Sequence, residues 1–100
     1  MIARIWHGWT KPEDAKAYEK LLRDEIFPSI AAREIEGYRG AELFIREADS
    51  EVEFVTLLRF DSMDAVTKFA GPEVGKPVIF PEAEALITRM EQARHYRVAI

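Results

Sequence analysis

The chain has 100 residues, 48% of them apolar, a formal net charge of −4 and no cysteine. This is the composition of a folded protein; the missing thiols exclude disulfides, thiolate metal sites and a cysteine nucleophile. The acidic balance leaves no basic face for nucleic acid or an anionic membrane, so neither is expected as a partner.

Apolar runs are too short to span a bilayer, and the alternating Met1–Trp6 stretch lacks the layout of a leader peptide. A single domain over residues 1–100, located in the cytoplasm, is the expectation. Residues 2–9 read as a strand, with Trp6 and Trp9 on opposite faces. Thr10 and Glu13 are spaced as a capping box, with Pro12 in the first turn. A helix over 11–27 follows, its inward stripe formed by Ala15, Tyr18, Leu21, Leu22 and Ile26. Pro28 is expected to end or kink it, with a short turn over Ser29–Ile35. Gly37 and Gly40 bracket a turn into a hairpin of strands 38–48 and 51–60. In the second of these, Val52, Phe54, Thr56, Leu58 and Phe60 share one face. Val55 and Leu57 share the other with Glu53 and Arg59. That second face is too apolar for one left fully to water, so something is expected to cover it.

Ser62 is placed to cap a helix over 62–70, which Gly71-Pro72 stops. Residues 72–80 form the one loop long enough to act as a lid. A helix over 81–92 is expected next, with Ala83, Leu86, Ile87 and Met90 inward, and then a strand over 94–100. The order βαββαβ specifies an α+β, ferredoxin-like sandwich with a four-stranded antiparallel sheet.

Three stretches carry a resemblance: Ala3-Arg4-Ile5-Trp6-His7-Gly8-Trp9-Thr10, then Gly37-Tyr38-Arg39-Gly40-Ala41-Glu42-Leu43, then Glu53-Phe54-Val55-Thr56-Leu57 with Phe60-Asp61-Ser62. Together they resemble a small-protein branch of the antibiotic biosynthesis monooxygenase-like family, within the dimeric α+β barrel superfamily. The resemblance implies a homodimer whose two sheets face each other and close an eight-stranded barrel. It also implies a range of activities: cofactor-free oxygenation of aromatic polyketides, haem degradation, isomerisation, sugar mutarotation, or none. Fold alone does not choose among them.

Pairing of the first and last strands is expected to bring His7 towards His95 or Tyr96. Histidine titrates near neutrality and can move protons, or it can simply hydrogen-bond at a strand end. Two histidines with Glu42 or Glu53 would supply a metal triad, but no local spacing reinforces it and no metal is expected. Arg4 and Arg59 stand on strands, where a charge under cover needs a partner. Glu42 or Glu53 would satisfy them structurally; alternatively an arginine would stabilise an enolate or carboxylate. One of Trp6 and Trp9 is free to stack an aromatic ligand or to pack against a partner subunit. Glycine motifs for nucleotide, flavin or phosphate are missing, so no cofactor is expected. Residues 80–92 lack the late-helix histidine of the haem-degrading relatives, and the chain has no asparagine, which the polyketide oxygenases use.

The expected function is binding of a small apolar or aromatic molecule, with cofactor-independent oxygenation as the first enzymatic reading. Catalytic candidates are His7, His95, Tyr96 and Arg59; ligand-binding candidates are Arg4, Trp6 and Trp9. A non-catalytic binding or stress-related dimer and a histidine–tyrosine isomerase or mutarotase are the alternatives.

Overall fold

A computed structural model describes residues 1–100, and in it the alternation along β1 (Ile2–Thr10) sorts side chains onto two faces. Arg4, Trp6, Gly8 and Thr10 turn to the core, while Ile5, His7 and Trp9 stay partly exposed on the other side. β1 pairs antiparallel with β3 (Val52–Phe60) along its whole length, and β3 pairs antiparallel with β2 (Tyr38–Glu47). At the other edge of β1 lie two short strands, β4 (Ile87–Met90) beside residues 8–10 and β5 (Arg94–Arg97) beside residues 2–5. The sheet is therefore β2-β3-β1, with its fourth lane shared by β4 and β5.

Helices cover one face. After a 3₁₀ turn at Pro12–Asp14 come α1 (Ala15–Leu21), a π-helical segment (Leu22–Ile26) and α2 (Phe27–Ala32). Tyr18, Leu22, Ile26 and Ile30 pack with Trp6, Phe54, Leu58 and Phe60 in one core. α3 (Met63–Ala70) adds Val66 and Phe69, and α4 (Pro81–Glu84) adds Ala83. No helix is long and apolar enough to cross a membrane.

Four expectations about elements change. The capping box does not form: Thr10 ends β1, its hydroxyl donates to the Lys11 carbonyl at 2.9 Å, and Lys11 takes the cap position. Pro28 does not end the first helix, which continues to Ala32. The reason lies one turn earlier, where the Phe27 N–H reaches back five residues to the Leu22 carbonyl. That widened turn shifts the backbone the proline ring would otherwise strike and leaves no amide wanted at residue 28.

The helix expected over 81–92 ends at Glu84, and Ile87–Met90 is a strand instead. β1 has nine residues, and β5 reaches only as far as Ile5. The backbone groups left along residues 7–10 need partners, and β4 supplies them, with the Glu91 N–H donating to the His7 carbonyl at 3.0 Å. Fourthly, the final strand is shorter than expected, running only over Arg94–Arg97.

Other local readings hold. The Ser62 side chain accepts from the Ala65 N–H at 3.2 Å, and Gly71 closes α3 at φ 84°. Gly40, at φ 117°, sits in a bulge where the β2–β3 register slips. Residues 71–80 carry no regular structure and fold back over the helix-covered face.

Candidate functional site

A cavity of about 50 Å³ lies between the helices and the sheet. Its floor is β1 and β3, its wall is Tyr18, Leu22, Ile26 and Ile30, and its roof is Val78, Ile79 and Phe80 from the loop. Twelve of the fourteen lining residues are hydrophobic, and the two others are Arg4 and Thr56. The free space holds only a few waters' volume, so anything the size of an aromatic ring enters only if part of the lining yields.

Arg4 is 4% exposed and makes no salt bridge. Its Nη1 donates to the Val74 carbonyl at 2.6 Å and its Nη2 to the Lys76 carbonyl at 3.2 Å, so the guanidinium fastens the loop to β1. The guanidinium also stands over the Phe69 ring, 5.4 Å from its centroid. Desolvation lowers the Arg4 pKa from its ordinary value. A buried cation with only neutral acceptors is an expensive arrangement.

His95 completes this corner, its Nε2 standing 3.0 Å from Arg4 Nη1. Arginine has donors only, so Nε2 must accept, the ring is neutral, and its proton is on Nδ1. Burial, and then the charge of Arg4, push the His95 pKa down. Both causes favour the same neutral ring.

Trp6 is 7% exposed and lines the same cavity, yet its Nε1–H is buried with no acceptor. The ring lies over Gly8, where a Cβ would come within 2.2 Å of it. Tyr18, 3% exposed, meets Phe54 edge-on at 4.8 Å between centroids, and burial raises its phenol pKa far above the usual value.

The structure separates the two histidines that topology was expected to unite. β1 and β5 do pair antiparallel, but His95 lies opposite Arg4 and reaches to the helix-covered face. His7 lies on the open face, where its Nδ1 is 2.6 Å from Glu53 Oε2 and its ring stacks on Trp9. Alternation explains the miss, because residues 4 and 7 of one strand must point oppositely.

Tyr96, opposite Ala3, is 48% exposed and away from the cavity. Arg59 is ion-paired to Glu42, which is the structural pairing the sequence allowed. Trp9 stays on the open face under Arg89, whose guanidinium carbon is 3.7 Å from its ring centroid. Of the seven candidates, only Arg4 and Trp6 line the cavity, and His95 touches it through Arg4. No cluster of three histidine or carboxylate groups is arranged to hold a metal.

Sequence reasoning missed the carbonyls of Val74 and Lys76 and the ring of Phe69. The available signal was the even spacing of Arg4, Trp6 and Gly8, which places a cation, an indole and a gap on one face.

The chain has the α+β ferredoxin-like fold seen in antibiotic biosynthesis monooxygenase-like structures. A Bacillus cereus protein assigned as an antibiotic biosynthesis monooxygenase matches 99% of this chain and 93% of its own, at 13% identity and TM-score 0.69. Another structure described as an antibiotic biosynthesis monooxygenase matches both chains over their full length, at 18% identity and TM-score 0.70. A haem degrader from Mycobacterium tuberculosis, with two haems bound in its active site, matches 100% of this chain and 97% of its own, at 18% identity and TM-score 0.59. No protein-family model and no curated protein matches the sequence.

Proposed function

We propose that this protein is a cytoplasmic homodimer that binds a small aromatic or apolar molecule in the loop-roofed cavity and oxygenates it without a cofactor. The observation that carries the binding is the cavity's lining, twelve hydrophobic residues of fourteen, gathered under one irregular loop. The oxygenation rests on the likeness of fold to the monooxygenase structures. In that chemistry an electron-rich ring loses a proton and donates electrons to O₂. One oxygen atom enters the product as a quinone carbonyl, one ring C–H and one phenol O–H hydrogen being lost, and the other oxygen leaves with those two hydrogens as water. The protein's part is to hold the ring, exclude water and steady the developing oxyanion.

Haem is a poor fit as substrate. The lining holds no histidine to ligate iron, and the space is small against a macrocycle. Pairing of two copies through the open sheet face is supported by Ile5, Phe44, Val55 and Leu57, which present apolar surface there, Phe44 at 49% exposure.

A thermal-shift screen of small phenols and naphthols, followed by oxygen-electrode measurements on those that stabilise, tests both halves. Stabilisation with oxygen uptake supports the full reading. Stabilisation without uptake of oxygen or change of ligand leaves a binding protein, a second reading favoured by the lack of any imidazole in the lining. If no aromatic compound raises the melting temperature, the pocket reading fails.

A further inference from the structure

We propose that the cavity selects an aromatic ring bearing an anionic oxygen, and that this oxygen replaces the loop carbonyls on Arg4, so that binding unfastens the loop over residues 71–80. The inference rests on the cavity being a ligand site and adds the ligand's charge and the means of entry.

Three observations meet on one wall. Arg4 is a buried cation whose acceptors are two peptide carbonyls and one neutral imidazole. A carboxylate or phenolate is a stronger acceptor for a guanidinium than any of these, because both partners are then charged. Trp6 contributes a buried indole N–H with no acceptor, a group that gains a hydrogen bond if the ligand brings an oxygen. A purely apolar ligand would leave both as they are.

The third observation is space. About 50 Å³ does not admit an aromatic ring, and three of the lining residues, Val78, Ile79 and Phe80, belong to the loop that Arg4 fastens at Val74 and Lys76. One exchange of acceptors on Arg4 would therefore both pair the cation and free that side of the lining to move. Between those two carbonyls the loop of the free protein is also held by the Ala93 N–H, which donates to the Gly75 carbonyl at 2.9 Å. That bond reports on the loop without contacting the ligand. His95 Nε2 would also be released, giving the corner an imidazole with a free lone pair.

The test is calorimetric titration of the intact protein with 1-naphthoate and its neutral isostere 1-naphthamide, and with 4-nitrophenolate and nitrobenzene. Amide hydrogen exchange at Ala93 is followed in the free and bound forms. At least one anion should bind about tenfold or more tightly than its neutral counterpart, and exchange at Ala93 should quicken in that complex. Which anion prevails assigns the oxygen to a carboxylate or a phenolate. Trp6→Phe and Arg4→Met should each shrink the ratio of anion to neutral affinity, whatever they do to the neutral compound itself; if Arg4→Met does not fold, Trp6→Phe and the native comparison decide. Equal affinity for charged and neutral probes overturns the inference while the pocket stands, and binding of neither overturns both. Anion preference with unaltered Ala93 exchange overturns the unfastening.

Discussion

Gly8 is the residue whose lack of a side chain the fold uses most directly. The Trp6 ring fills the space a Cβ would take, at a separation of 2.2 Å that forces the indole or the strand to move. Gly8→Ala should therefore destabilise the protein by about 1–3 kcal/mol through overpacking, read as a lower urea midpoint with an unchanged slope. An unaltered midpoint would show that the indole has another seat. His95 makes a second prediction at this scale. Its pKa is lowered in the fold, by burial and then by Arg4, so the unfolded chain takes up a proton at higher pH than the folded one. The stability held by the neutral ring is complete above the ordinary value of 6.5 and is lost as pH falls below it. Melting temperature should drop between about pH 7.5 and about pH 5, and His95→Gln should flatten part of that slope. A slope identical in the variant would place the proton uptake elsewhere.

At the level of elements, local chemistry and long-range demand divide the work. α3 is specified by its own ends: Ser62 caps its first turn and Gly71 supplies the positive φ that stops it. Ser62→Ala should cost about 1 kcal/mol, measurable by denaturation with circular dichroism, and an effect near zero would mean that Asp61 or water replaces the cap. The first helix and α4 behave otherwise. The π-helical segment lets the helix pass Pro28 and carries Leu22 and Ile26 to the cavity wall. α4 yields to β4 because β1's outer edge beyond Ile5 wants hydrogen bonds more than Ile87, Thr88 and Met90 favour helix. β-branched Ile87 and Thr88 suit a strand already.

For the whole molecule, the two faces of the sheet have different fates. The helix-covered face buries the core and frames the cavity. The open face carries Ile5, Phe44, Val55 and Leu57 between the His7–Glu53 hydrogen bond and the Arg59–Glu42 ion pair. A second copy laid on this face would bury the apolar strip while these polar groups already have partners on their own subunit. Light scattering should give twice the 11.5 kDa chain mass, and Leu57→Glu should return a monomer whose circular dichroism is unchanged. A native protein of single-chain mass at micromolar concentration would remove the dimer, and with it the closed barrel.

The βαββ opening, the caps of α3, the positive-φ glycines and the assignment of Val52, Phe54, Leu58 and Phe60 to the core were legible in the sequence. Each follows from side-chain period or from a single residue's backbone preference, and neither depends on distant partners. Arg4 and Trp6 were legible as candidates for a similar reason, since period two places them on one face. What only the tertiary structure decided was everything set by which backbone groups remain unpaired after folding. The conversion of residues 87–90 to a strand arises this way, because β5 leaves part of β1 open. So does the fastening of the loop by Arg4, whose acceptors lie about seventy residues away at Val74 and Lys76. The parting of His7 from His95 has the same character: strand pairing brings their chains side by side, and the pleat sends the side chains to opposite faces of the sheet.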